Sequence, residues 1–76
     1  AKGDYESAAQ AYESAVALDP SLVDAQLNLG KLYGLIGQEA LQYRQFEITL
    51  EIQPQHVEAA PLREWMAWFE TRRVNE

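Results

Sequence analysis

The 76-residue chain repeats its own pattern at an offset of 34 residues. In that register Tyr12 aligns with Phe46, and most residues around them keep their size and polarity. The segments 12–20 and 46–54 therefore share one pattern, a helical end followed by a proline that cannot continue the helix. A repeat of this length is typical of units that bury their apolar faces by stacking on their neighbours, so we expect a helical repeat architecture.

Apolar residues recur at three- and four-residue spacing along the whole chain, which predicts four helices and no strand. The predicted helices cover residues 4–18, 22–35, 38–52 and 55–75. In the first two, the residues predicted to be buried are Tyr5, Ala8, Ala9, Tyr12, Ala15, Val16, Ala25, Leu29, Leu32, Tyr33 and Ile36. If the fourth helix begins near Val57, Pro61 lies in or just beyond its first turn, where the amide has no intrahelical partner to lose.

The charge of the chain limits the class of its partners. Twelve acidic and six basic residues give a formal net charge of −6, which disfavours nucleic acid and anionic membranes through long-range repulsion. No apolar run approaches the roughly 18 residues of a membrane-spanning helix. The absence of cysteine excludes disulfides and thiolate metal sites, and it leaves the cellular compartment unspecified.

A set of spaced residues in the middle of the chain resembles the tetratricopeptide repeat. The matching residues are Leu29, Gly30, Tyr33, Gly37, Phe46 and Pro54. The resemblance implies one all-α domain over residues 1–76, an α-solenoid of antiparallel helix pairs. Residues 1–20 correspond to the second helix of a partial repeat, 21–54 to a full repeat and 55–76 to a C-terminal capping helix. We expect this domain to be the end of a longer solenoid.

Two positions depart from the pattern of the family. Gln26 occupies the place of its tryptophan, and Gln42 occupies the place of the small alanine at which the paired helices approach each other. Ala40 is an alternative for that second role if the turn at Gly37 is shortened. The sequence therefore leaves open how the third helix docks on the second.

In this family the first helix of each pair lines a concave groove, which implies partner-binding residues on the second predicted helix. Asp24, Leu27, Lys31 and Leu35 lie opposite its apolar stripe. The two leucines favour contact with a ligand, the alternatives being an ordinary exposed leucine or cover by an upstream helix. Trp68, at the edge of the last helix's aromatic group, is a further candidate, with half-buried packing as its alternative.

No group of residues supports catalysis. His56 is the only histidine, and no serine has a base at a recognisable spacing. We therefore predict a non-enzymatic module without cofactor or metal, which holds a peptide or helix of a partner protein in a solenoid groove. The alternative is self-association into a homodimer, through the aromatic surface of the last helix or the open edge of the first.

Overall fold

The computed structural model describes residues 2–74, and within that range it contains four α-helices and no strand. The helices are α1 (Lys2–Leu18), α2 (Val23–Leu35), α3 (Glu39–Ile52) and α4 (Ala59–Val74). The predicted all-α fold is confirmed. The largest shift in a boundary is at α4, which begins at Ala59 rather than at residue 55, with Pro61 in its first turn.

Short turns with local hydrogen bonds separate the helices. After α1, the Asp19 carboxylate accepts hydrogen bonds from the hydroxyl and the backbone N–H of Ser21, at 2.6 and 3.1 Å. These bonds lower the pKa of Asp19. After α2, Gly37 adopts a φ of 81°, and the next N–H, that of Gln38, bonds to the Tyr33 carbonyl at 2.8 Å. This left-handed glycine ends α2 and reverses the chain.

Helices α2 and α3 approach closely because glycines of α2 face large side chains of α3. A Cβ atom on Gly30 would lie 2.8 Å from the Phe46 ring, and one on Gly34 would lie 2.5 Å from the Gln42 amide. The residue numbers fall on α2 as they rise on α3, so the two helices are antiparallel. Gln42 therefore lies at the helix crossing, whereas Ala40 is exposed.

Buried amide groups connect the same two helices near the other end of α2. Gln26 and Gln45 are 4% and 9% exposed, and the Gln45 Nε2 donates to the Gln26 Oε1 at 2.5 Å. The Gln26 Nε2 in turn donates to the Pro20 carbonyl at 3.0 Å. Below them, the fully buried Thr49 hydroxyl donates to the Gln45 carbonyl at 2.8 Å. Gln26, at the place of the family's tryptophan, is therefore buried through polar contacts.

Apolar clusters on both sides of α2 hold the other helices. On one side, Ala9 of α1 packs against Leu29 and Tyr33. On the other side, Leu27 packs with Phe46 of α3 and Leu62 of α4. Aromatic rings extend this second cluster along α4. The ring centroids are 5.3 Å apart in the pair Trp65–Phe69 and 5.4 Å apart in the pairs Phe46–Trp65 and Tyr43–Phe69.

One hydrogen bond joins α1 and α2 through an ionisable pair. The Tyr33 hydroxyl, in a side chain that is 8% exposed, donates to the Glu13 carboxylate at 2.5 Å. Burial first, and the bond to Glu13 second, raise the pKa of Tyr33 to about 12. The phenol therefore stays protonated in the folded chain at a pH at which an unfolded tyrosine ionises.

The two glycines of α2 should respond differently to replacement by alanine. Gly30→Ala places a methyl group against the buried Phe46 ring and the Gln45 Cβ, which have little freedom to move, and should cost about 1–3 kcal/mol. Gly34→Ala meets only the flexible end of Gln42, and the higher helix propensity of alanine, roughly 1 kcal/mol, offsets that contact. Urea denaturation of both variants measures the difference. Equal losses would contradict the described approach of α2 and α3.

Stability should fall in alkaline solution partly through Tyr33. Its pKa is 10.0 when unperturbed and about 12 in the fold, so from pH 10 to 12 the unfolded chain binds fewer protons and unfolding is favoured. Tyr33→Phe should be less stable at neutral pH, by about 1 kcal/mol for the lost hydrogen bond, and should lose stability less steeply from pH 10 to 12. Tyr5→Phe on α1 is the control, and an unchanged slope in Tyr33→Phe contradicts this assignment.

Candidate protein-interaction groove

An open groove of about 430 Å³ lies between α1 and α2. We call it the α1–α2 groove. Its walls are mainly apolar, with a polar contribution from α2, and they consist of Tyr5, Ala8, Tyr12, Asn28, Lys31, Leu32 and Leu35. Leu35 is 60% exposed and Tyr5 is 40% exposed. A concave apolar surface with a few polar groups is the usual form of a binding site.

The repeat explains why this groove exists. At the offset of 34 residues, Ala8 and Tyr12 of α1 correspond to Gln42 and Phe46 of α3. In α3, those two residues pack against the glycines of α2. In α1, the corresponding residues line the groove instead. Within residues 2–74, no helix takes the place beside Ala8 and Tyr12 that α2 takes beside Gln42 and Phe46.

Lys31 is the charged member of the described groove lining. Its Nζ lies 3.0 Å from the Glu58 Oε1, just before α4, and both side chains are nearly half exposed. An exposed pair of this kind contributes roughly 0–1 kcal/mol to stability. The contact holds the lysine at the rim between the groove and the segment that precedes α4.

The predicted partner-binding residues are divided among three environments. Lys31 and Leu35 line the α1–α2 groove. Asp24 is exposed on α2 outside the groove lining. Trp68 is on α4, where it is 49% exposed and partly covered by the Arg72 guanidinium, 4.5 Å from its ring centroid.

The prediction for Leu27 is wrong, because this side chain is 4% exposed and belongs to the core. It packs against Phe46 and Leu62, and α4 covers the side of α2 on which it lies. The prediction assumed that the side of α2 opposite its apolar stripe faces a groove. That side instead contacts a third helix, so Leu27 is not available to a ligand.

Four lining residues were predicted to be buried, namely Tyr5, Ala8, Tyr12 and Leu32. Tyr12 and Leu32 do pack against the cluster of Ala9, Leu29 and Tyr33, but both are only partly buried and also line the groove. Their helical spacing is the same whether a partner helix is present or not. The 34-residue repeat register could have identified these residues as less buried than their spacing suggests. Tyr12 corresponds to Phe46, whose neighbour in the fold is the first helix of its own repeat, and residues 2–74 contain no such helix for α1.

Other kinds of site find no support in the described part of the chain. Within residues 2–74, no group of three His, Cys, Asp or Glu side chains is placed to hold a metal ion. None of the four helices combines the length and the apolar character that crossing a membrane requires.

Comparison with known proteins gives one match. Residues 1–37 match the family model described as TPR repeat, a segment that contains every lining residue of the α1–α2 groove. Neither the curated proteins nor the solved structures contain a significant match to the chain.

Substituting two leucines of α2 in turn should distinguish a core position from a groove position by the loss of unfolding free energy. Leu27→Ala removes a buried side chain between three helices and should cost about 2–5 kcal/mol of unfolding free energy. Leu35→Ala removes a side chain that is 60% exposed and should change that free energy by about 0.5 kcal/mol or less. Chemical denaturation of the two variants tests this difference. A loss at Leu35 as large as that at Leu27 would contradict the assignment.

Proposed function

Because residues 1–37 belong to the tetratricopeptide repeat family, whose members are typically protein-interaction modules, we propose that this chain binds an apolar helix or peptide in the α1–α2 groove. The family is also typically non-catalytic, and the proposed role is that of a scaffold. The match extends over 37 residues, so the predicted resemblance is confirmed for that segment.

The observation that carries the proposal is the exposure of apolar side chains on both walls of one concave surface. Leu35 from α2 and Tyr5 from α1 are exposed, and Tyr12 and Leu32 are half-buried between them. Their burial by a ligand removes apolar surface from water, at about 25 cal/mol for each Å². Two tyrosines also supply large contact areas with few rotatable bonds, which is typical of interface hot spots.

The polar lining favours a ligand with a particular pattern. Asn28 and Lys31 lie on the α2 wall, next to the apolar side chains. A helix that places apolar residues at i, i+3, i+4 and i+7 fits the walls. An acidic residue beside that stripe pairs with Lys31, whose present partner Glu58 is exposed and readily replaced.

Selection of peptides tests the groove directly. A displayed library of random peptides of about 16 residues, the length of four helical turns, should yield binders that share an apolar stripe. Leu35→Asp should weaken their binding by about tenfold or more, because a charge is placed in an apolar contact. Fluorescence anisotropy of labelled binders measures the affinity.

Leu18→Asp is the matched control, because Leu18 is the last residue of α1 as Leu35 is the last residue of α2. Leu18 is 88% exposed and does not belong to the groove lining. Binders that lose affinity equally for both variants, or a library without enriched binders, would contradict the proposed groove function.

A further inference from the structure

An apolar stripe runs along one side of α3 and is in contact with solvent. Leu41, Ile48 and Ile52 are seven and four residues apart, so they lie within about 40° of one another on a helical wheel. Leu41 is 46% exposed, Ile52 is 39% exposed and Ile48 is half-buried. Leu50, which packs with Leu27 and Phe46 in the core, lies on the opposite side of the helix. We call Leu41, Ile48 and Ile52 the α3 stripe.

This exposure belongs to the repeat itself, because α3 has described helices before and after it. Helix α1 is the corresponding helix one repeat earlier, and its residues at the positions of the stripe are Ser7, Ser14 and Leu18. All three are exposed, although α2 and α3 follow α1 in the described chain. The same side of the helix is therefore open in α1 with the next repeat present, and in α3 with the preceding one present.

The same comparison indicates that the fold does not require apolar residues on this side. Ser7 and Ser14 of α1 stand where α3 has Leu41 and Ile48. A single exposed leucine is ordinary on a protein surface. The α3 stripe instead forms one line of three apolar side chains over about 16 Å of helix, which is typical of a surface that contacts a partner.

Charged residues follow one flank of the α3 stripe. Arg44 and Glu51 each come three residues after a stripe residue, so they lie on the same flank, and both are exposed. The Arg44 Nη1 lies 3.1 Å from the Glu47 Oε1, a contact that uses one of the five N–H donors of the guanidinium. The flank is therefore positive towards the start of the stripe and negative towards its end.

This order of charges is complementary to itself in the antiparallel direction. If a second α3 lies antiparallel across a two-fold axis, the same flanks meet, and Arg44 of each copy lies beside Glu51 of the other. Ile48 then lies near the axis, and Leu41 of each copy lies close to Ile52 of the other. In a parallel pair the charged flanks lie on opposite sides of the contact and do not meet. A second copy of the chain thus fits both the apolar and the charged part of this surface.

From this self-complementarity we propose that two copies of the chain form an antiparallel dimer through the α3 stripe. The contact is at the small end of specific interfaces, so the dimer is reversible. The α1–α2 groove has no lining residue from α3, and the inference therefore goes beyond the proposed function. The dimer presents two open grooves, which increases the avidity for a partner that carries two matching segments.

Sedimentation equilibrium of the 76-residue chain tests the proposal. We expect a monomer–dimer equilibrium with a dissociation constant of about 10 μM to 1 mM, without larger species, because a two-fold contact is closed. The double variant Leu41→Ser with Ile48→Ser gives α3 the serines of α1. It should dimerise at least about tenfold more weakly, because the central apolar contact is lost.

Reversal of the flank charges tests the antiparallel arrangement. In Arg44→Glu both flank charges are negative, and in Glu51→Arg both are positive. Each variant alone should dimerise about tenfold more weakly, because two attractive pairs become repulsive. An equimolar mixture should form a heterodimer with about the affinity of the unmodified chain, because each negative residue then meets a positive one.

Three controls match these changes. Arg73→Glu and Glu64→Arg produce the same changes in net charge at exposed positions of α4. Leu35→Ser removes another exposed leucine, from the α1–α2 groove. All three should dimerise like the unmodified chain, and far-UV circular dichroism checks that every variant keeps its helices.

The proposal is wrong if the unmodified chain stays monomeric up to about 1 mM, the weak limit of specific association. It is also wrong if the two serines leave dimerisation unchanged, or if mixing the charge variants does not restore it. Loss of dimerisation in Leu35→Ser would assign the contact to the groove and overturn the α3 stripe. The selection of peptides depends on Leu35 and not on the stripe, so each of the two proposals can fail while the other holds.

Discussion

The close approach of α2 and α3 at Gly30 is the contact on which the rest of the fold depends. Because no side chain stands on Gly30, the Phe46 ring lies directly against the α2 backbone. From there the same ring reaches Leu27 and Leu62 and meets Trp65 edge-on, with centroids 5.4 Å apart. One aromatic residue therefore joins three helices. If α2 and α3 were further apart, the Phe46 ring would also lose its contacts with α4. The position of α4 therefore depends on the absence of a side chain at Gly30.

The buried amides of Gln26 and Gln45 give this pair of helices a second, directional constraint. Apolar packing tolerates small sliding of one helix along another, whereas a buried amide that loses its partner pays the cost of desolvation, about 1–3 kcal/mol. Within the described residues, every buried side-chain nitrogen and oxygen atom has a hydrogen-bond partner. The network also reaches the carbonyl of Pro20, so the loop between α1 and α2 is fixed to the same register as the α2–α3 pair.

The sequence was sufficient to predict the helices and their order, because period and proline position are local properties of the chain. It did not predict which side of α2 is open. A helical wheel identifies one apolar stripe, but α2 has neighbours on two sides, α1 at Leu29 and α4 at Leu27. Leu35 lies beyond the reach of both and is exposed as predicted. The sequence also did not predict how α3 docks on α2 at Gln42, because this contact depends on the space that Gly34 leaves on α2.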